Sequence, residues 1–400
     1  MPVVALFLPV APPSALAEQA LEGQLSVRQS PSMIWLSRNF ELGRGGDHDN
    51  LRPMEGLRGF AVALVFLVHY ATLTGPWTAG QVVAARLVSA LQTIGNTGVD
   101  LFFVLSGYLI YGSLMEREQA FPTYFRRRLR RLYPAFSIVF LVYVLLSLAM
   151  PSQSKIPLGA GAASLYLVQN FMMLPGLLPI EPMIVVAWSL SYEVFYYLVL
   201  PAVISVVGLR SRSSAWRVGF FVVTALLFAG LCAWRGGHIR LIMFAVGILL
   251  HEALRHRFVR APGSRAAWWA LGLGLGLTLQ PFVGSLAYTL RTLFLAVAFF
   301  VLCHNCFAMP RGGVAIAFSW APLRWLGNMS YSYYLLHSLP LKAAFLGVAM
   351  LLPVGSVSPL WWLLMLPPML LLTILPSALL FLAVERPFSL APARRRVVPA

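Results

Sequence analysis

The stretch LRPMEGLRGFAVALVFLVHYATL, residues 51–73, indicates the fold class of this 400-residue chain. After a charged start it is apolar for long enough to cross a hydrocarbon core of about 30 Å, which requires about 20 helical residues. Similar runs recur along most of the chain, in which 59% of residues are hydrophobic and only 11% are charged. A soluble globule would need more polar surface. The sequence therefore predicts an all-α, polytopic integral membrane helix bundle.

The apolar runs predict about ten transmembrane helices. They lie near residues 57–74, 98–115, 132–150, 187–208, 216–234, 239–255, 266–284, 288–306, 330–352 and 361–384. Residues 81–96 are a candidate for one further helix across or into the bundle. The count is therefore uncertain by about one helix.

Charge placement predicts the topology. With the N-terminus inside, all but six of the 30 basic residues fall on the cytoplasmic side, as the positive-inside rule requires. The net charge of +17 is then mostly a topology signal and needs no nucleic-acid partner. We expect a multi-pass protein of a bacterial inner membrane with both termini in the cytoplasm.

The ends of the chain are predicted to lie outside the membrane. Residues 1–50 read as a disordered cytoplasmic tail, residues 51–390 as the membrane domain and residues 391–400 as a cytoplasmic tail. A cleaved signal at the start is disfavoured, because residues 1–17 have no basic residue and export would place several arginines outside.

The three cysteines offer no disulfide framework. Cys303 and Cys306 have no second ligand pair elsewhere, so no metal site is expected.

Ionisable side chains inside apolar helices are the candidates for chemistry, because lipid makes them costly. In the first span, His69 lies eleven residues, about 16 Å, beyond Arg58. Asp100 on the second span and Glu193 on the fourth fall at a similar depth. Each side chain could instead make an interhelical hydrogen bond that only holds helices together. We interpret His69 as a proton-transfer residue that either Asp100 or Glu193 orients.

Five arginines stand immediately before the third span, in FRRRLRRLYP at residues 125–134. Guanidinium groups bind phosphate through two parallel hydrogen bonds and stay charged. The cluster and Arg58 therefore favour a soluble phosphorylated donor, although an anchor to lipid headgroups is the alternative. The buried ionisable groups are also compatible with a proton-coupled secondary transporter, which has no obvious use for five arginines at one helix entrance.

Together these motifs resemble the membrane acyltransferase family often called acyltransferase 3, over roughly residues 51–389. Six segments carry the resemblance in order: LRPMEGLRG (51–59) followed by His69, GVDLFFVLSG (98–107), RLRRLYP (128–134), WSLSYE (188–193), SYSYYLLH (330–337) and ERPF (385–388). The resemblance implies functional pairs at Arg58 with His69 and at Arg128 with Arg131. Glu55 departs from the Asp that is more usual in the family and keeps its charge.

The resemblance also implies a reaction. Acyl-coenzyme A, with acetyl as the default acyl group, would dock from the cytoplasm on Arg58, Arg128 and Arg131. His69 would act as general base on the hydroxyl of a carbohydrate or another hydroxylated acceptor, with Asp100 or Glu193 holding its ring. A variant in which His69 is itself acylated stays open. No bound cofactor is expected. His337 is a candidate either for the same cavity or for a structural bond to a backbone carbonyl.

Overall fold

The computed structural model describes residues 30–42, 48–78, 80–281, 283–353 and 359–390. Every regular element in these ranges is a helix, apart from one isolated bridge between Pro175 and Leu178. Long apolar runs satisfy their backbone groups within each helix, which is the arrangement a lipid environment requires. The predicted all-α class is confirmed.

Fifteen α-helices occur in the described residues. They are α1 (Pro31–Phe40), α2 (His48–Thr78), α3 (Val82–Glu116), α4 (Phe121–Ala149), α5 (Ala160–Phe171), α6 (Trp188–Val206), α7 (Ser214–Arg235), α8 (Ile242–His256), α9 (Ser264–Thr278), α10 (Ser285–Ala308), α11 (Gly313–Phe318), α12 (Ala321–Asn328), α13 (Ser330–Leu336), α14 (Ser338–Leu351) and α15 (Pro359–Leu380). A π-helix, Phe381–Leu390, continues α15.

Seven helical segments of the described chain are long and apolar enough to cross a membrane, and the bent pair α13–α14 makes an eighth. They confirm the multi-pass helical class, and their number is close to the predicted ten. The other two predicted spans, near residues 239–255 and 266–284, correspond to α8 and α9. Each of these helices has 15 residues, fewer than the roughly 20 that a straight crossing takes.

The candidate helix at residues 81–96 is not a separate element. It runs without a break into the second span as the 35-residue helix α3. Helix α1 belongs to a different unit of the chain, residues 1–43, from the membrane helices. It lies within the segment predicted to be disordered, and the rest of that segment up to residue 29 falls outside the described residues. The domain limits and the cytoplasmic position of the termini stay predictions.

Glycines let α3 and α8 approach closely. A Cβ atom added at Gly107 would lie 2.2 Å from the carbonyl oxygen of Phe244, and one added at Gly247 would lie 2.1 Å from that of Val104. Small residues are used in this way where membrane helices pack backbone to backbone. The contact fixes the part of α3 near Gly107 against the first half of α8.

An ion pair joins α2 to α12. The Arg324 guanidinium donates through Nε to Glu55 Oε2 over 3.1 Å, and both side chains are buried. The charge that Glu55 keeps is therefore used to hold two helices together.

Helices α13 and α14 form one broken span. They meet at His337 with a bend of 40°. The buried carboxylate of Glu385, in the last motif, accepts from both the backbone N–H and the hydroxyl of Ser332, at 3.0 and 2.7 Å. The Tyr331 hydroxyl donates to the carbonyl of Leu132 on α4 over 2.8 Å. These bonds hold the broken span against the π-helix and α4.

Candidate active site

Helix α2 presents Arg58 and His69 on one face, because eleven residues make just over three full turns. The Arg58 Nη2 atom donates to Ser330 Oγ over 2.9 Å. The ring of His69 lies 5.0 Å from the ring of His337, centre to centre, at an angle of 58°. Helix α2 thus meets the broken span at two levels, one at an arginine and one at a pair of histidines.

The arginine level opens into a narrow cavity of about 100 Å³, the arginine cavity. Its polar lining consists of Arg58, Ser106, Arg128, Arg131, Ser189, Glu193, Tyr197, Ser330, Tyr331 and Tyr334. Its other walls are apolar side chains of α3, α4 and α6. The structure therefore brings together Arg58, Arg128, Arg131 and Glu193, four of the six residues that the sequence singled out. Neither His69 nor Asp100 lines this cavity.

Arg128 is fixed in the wall by neighbours on three helices. Its Nη2 atom donates to Ser113 Oγ over 2.6 Å, and its guanidinium lies 5.4 Å from the ring of Tyr124 and 5.5 Å from that of Tyr197. The Tyr197 hydroxyl in turn donates to Glu193 Oε1. Glu193 therefore stands with the arginines, across one tyrosine, and not beside His69 as its depth suggested.

A wider chamber of about 450 Å³ adjoins this cavity and shares Leu109, Arg128 and Arg131 with it. Further polar side chains that line it are Tyr108, Ser113, Glu116, Arg117, Gln119, Tyr124, Arg127 and His251. Four arginines against one carboxylate make the chamber strongly basic. Arg128 and Arg131 stand at the junction between the wide and the narrow space.

Asp100 has a different partner from the one expected. Arg240 donates to both of its carboxylate oxygens, through Nε over 2.7 Å and through Nη2 over 2.9 Å. The same Nη2 atom donates to the carbonyl of Asn96, and the guanidinium lies 5.1 Å from the ring of Trp188. Among the described residues, no hydrogen bond or ion pair joins Asp100 to His69. Asp100 thus locks α3 to the segment before α8.

Arg240 was missed by sequence reasoning. It stands 140 residues from Asp100 in the chain, so no spacing connects the two. The one available signal was that Arg240 is among the six basic residues on the predicted outer side, where a cation is not needed for topology.

The His337 ring has a defined tautomer when neutral. Its Nδ1 atom lies 2.8 Å from the carbonyl oxygen of Tyr333 and 3.0 Å from that of Tyr334. Carbonyl oxygens only accept, so Nδ1 carries the proton and Nε2 holds a lone pair. His337 is completely buried, and within the described residues Nε2 has no hydrogen-bond partner. A buried acceptor of this kind calls for an explanation.

Three rings surround His337. Tyr333 stacks on it at 5.2 Å, Tyr334 lies tilted at 6.4 Å, and the third ring is His69. The two phenol groups already have partners, because the Tyr333 hydroxyl bonds to Thr373 and the Tyr334 hydroxyl to the carbonyl of Val186. Among the residues that the structure describes, His69 makes no hydrogen bond, so it is the ring in this group whose N–H remains to be paired.

The chain matches a known family along most of its length. The family model described as "Acyltransferase domain" matches residues 53–382. The acyltransferase MdmB of Streptomyces mycarofaciens is 27% identical over 326 residues, which cover 73% of this chain and 79% of MdmB. No solved structure matches significantly.

Two further relatives carry names that refer to peptidoglycan. The peptidoglycan O-acetyltransferase OatA of Listeria monocytogenes is 26% identical over 329 residues, covering 71% of this chain and 48% of OatA. The putative peptidoglycan O-acetyltransferase YrhL of Bacillus subtilis is 26% identical over 337 residues, covering 72% and 48%. This chain spans about half the length of these two relatives.

Proposed function

Because the chain belongs to the acyltransferase 3 family, we propose that it moves an acyl group, acetyl by default, from acyl-coenzyme A to a hydroxyl of a carbohydrate or another hydroxylated acceptor. The observation that carries the proposal is the single cavity that gathers Arg58, Arg128 and Arg131. The names of its relatives, among them OatA and YrhL, support an O-acetyl transfer. Family membership does not favour the proton-coupled transporter.

The two adjoining spaces suit the two halves of the donor. The wide basic chamber has room and charge for the nucleotide and its phosphates, with Arg128 and Arg131 binding phosphate oxygens through paired N–H groups. The narrow cavity has apolar walls and a few hydroxyl groups, which suit the extended pantetheine arm. The arm leads from the arginines toward Tyr334, whose ring lies next to His337. Binding of the donor thereby directs the thioester to the histidine pair.

His69 is the general base of the proposed reaction. It removes the proton of the acceptor hydroxyl as the oxygen attacks the thioester carbonyl. The carbon–sulfur bond then breaks, the proton passes to the leaving thiolate, and the products are an ester and free coenzyme A. The alternative that His69 is acylated first predicts a trapped acyl-histidine in a rapid acid quench, and the general-base route predicts none.

His337 takes the orienting role that the sequence assigned to Asp100 or Glu193. Both of those carboxylates have other partners, in Arg240 and Tyr197. The lone pair on His337 Nε2 would accept an N–H of His69, leaving the other nitrogen of His69 free to take the hydroxyl proton. His337 is then a positioning residue, and Glu193 serves to hold the wall of the arginine cavity.

The test is acetyl transfer from radiolabelled acetyl-coenzyme A by the purified protein in nanodiscs, with donor binding measured separately. Arg131→Ala should raise the KM for the donor by about tenfold or more, since a hydrogen bond to a charged group contributes about 1.5–3 kcal/mol. Arg126→Ala, on the same helix but not in either lining, is the matched control and should stay within about twofold. A wild-type protein that binds no acyl-coenzyme A would overturn the donor assignment.

A further inference from the structure

The two lysines of the chain line one cavity. Of the 30 basic residues, only Lys155 and Lys342 are lysines, and they are 187 positions apart. Both line a space of about 360 Å³ between α4 and α14. Every other basic position is an arginine. The cavity therefore collects the two flexible ammonium groups of a chain that otherwise uses guanidinium groups.

This lysine cavity lies at the other end of α4 from the arginine cavity. Arg131 lines the arginine cavity and Met150, directly after α4, lines the lysine cavity. The 19 residues between them correspond to about 28 Å of helix, close to the thickness of a hydrocarbon core. The two cavities therefore lie near opposite faces of the membrane.

The broken span connects the two cavities through the histidine pair. Ser330 lines the arginine cavity and bonds to Arg58, and His337 contacts His69. The next residue, Ser338, already lines the lysine cavity, where its hydroxyl pairs with that of Tyr143 over 3.2 Å. A molecule in the lysine cavity therefore lies one residue away from His337, whose ring contacts that of the proposed base.

The rest of the lysine cavity is mainly apolar and is open along the helix surfaces. Its apolar lining residues are Leu146, Met150, Met183, Val185, Leu339, Ala343 and Leu346. Several of them are exposed on the bundle, for example Met150 at 46% and Leu346 at 41%, so they face lipid. The cavity thus combines a hydrocarbon-lined groove with two cations.

The two ammonium groups are only loosely engaged. Lys155 Nζ lies 3.0 Å from Glu181 Oε1 and donates to the carbonyl of Pro182, and Lys342 Nζ donates to Gln153 Oε1 over 3.1 Å. The Glu181 side chain is 62% exposed, and ion pairs as exposed as this one stabilise little. The two lysines and Glu181 together leave a net charge of +1, which an anion can neutralise.

We propose that the lysine cavity binds the acceptor, and that the acceptor is a carbohydrate joined through phosphate to a long hydrocarbon chain. This inference rests on the proposed function and names the acceptor class. The hydrocarbon chain lies against the groove of α4 and α14, and the phosphate lies between Lys155 and Lys342. The sugar then extends past Ser338 to the histidine pair. Donor and acceptor reach His69 from opposite faces of the bundle.

The test is a binding measurement on the full chain in phosphatidylcholine nanodiscs. The probe is a polyprenyl phosphate, and the matching polyprenol without phosphate is the comparison ligand. Lys155→Gln with Lys342→Gln should weaken phosphate binding by about tenfold or more, leave the polyprenol unchanged and leave acetyl-coenzyme A binding unchanged. Arg235→Gln, which places the same change at another basic residue of the predicted outer side, should have no effect.

A second variant should change the affinity for the polyprenyl phosphate in the opposite direction. Glu181→Gln should tighten binding of the polyprenyl phosphate by about two- to fivefold, because it frees Lys155 from its carboxylate. Equal binding of phosphate and polyprenol, no loss in the double lysine variant, or equal competition by phosphatidylglycerol would each overturn the proposal. Lysine-dependent binding in a protein that does not bind acetyl-coenzyme A would sustain this site while the proposed reaction fails.

Discussion

Two pairs of polar residues inside the bundle differ in how completely their hydrogen bonds are satisfied. In the pair of Asp100 and Arg240, both carboxylate oxygens accept from the guanidinium. In the pair of His69 and His337, one nitrogen of His337 is bonded to the backbone, and the other is buried without a partner in the part of the chain that the structure describes. The sequence placed Asp100 and His69 at a similar predicted depth along their helices. Their hydrogen bonds differ, which supports the proposal that the first pair is structural and the second reactive.

The difference has a physical basis. A guanidinium that donates to both oxygens of a carboxylate favours the charged form, so such a carboxylate is poorly suited to accept a proton from a substrate. A buried acceptor without a partner is costly to fold and is retained where a ligand or a reacting group completes it. Three sets of variants test this contrast.

The largest effect is expected at the base. His69→Gln should lower kcat for acetyl transfer by about 10²- to 10⁴-fold, the usual contribution of a general base. The affinity for acetyl-coenzyme A should not change, because His69 does not line the arginine cavity. Steady-state kinetics and donor binding measure the two quantities on one preparation. Retained kcat would remove His69 from the chemistry.

An intermediate effect is expected at His337. His337→Asn keeps an N–H that can reach the carbonyl of Tyr333 but lacks an acceptor at the position of Nε2. It should lower kcat by about 10- to 100-fold with little change in KM, whereas His337→Gln, which can supply an acceptor there, should recover part of the loss. Equal loss in both variants, or a change confined to KM, would refute the positioning role.

The smallest effect on transfer is expected at the ion pair. Asp100→Asn leaves Arg240 buried without its carboxylate and should lower the free energy of unfolding by about 3–5 kcal/mol. The double variant Asp100→Asn with Arg240→Gln should regain most of that stability, as thermal unfolding would show. Both variants should keep kcat, per folded molecule, within a few-fold of the wild-type value. A large loss of kcat in the stable double variant would mean that Asp100 does take part in the reaction.

The sequence predicted the elements well because lipid imposes one simple rule on them. Long apolar runs located all eight candidate spans, and Arg58, Arg128 and Arg131, which the sequence grouped, line one cavity. The count of about ten is approximate, because the apolar runs at α8 and α9 form helices of only 15 residues. The break at His337 was missed, although Pro340, three residues further on, is a recognised signal for a kink in a helix.

Side-chain contacts between helices were harder to predict than the helices themselves. Depth along a helix gives one coordinate, whereas contact also requires the rotation of each helix and its neighbours. The sequence predicted one depth for Asp100, Glu193 and His69. Their neighbours in the bundle are Arg240, Tyr197 and His337, respectively. Glycine contacts such as that of Gly107 with α8 set those rotations, and one sequence does not show which backbone each glycine meets.

We propose that the histidine pair carries the chemistry and that the pair of Asp100 and Arg240 holds the helices. The decisive experiment is single-turnover acetyl transfer from saturating acetyl-coenzyme A, with His69→Gln and the double variant Asp100→Asn with Arg240→Gln compared side by side in nanodiscs. We expect loss of transfer in the first variant and a rate within a few-fold of wild type in the second. Transfer that survives in His69→Gln and disappears in the folded double variant would refute this assignment.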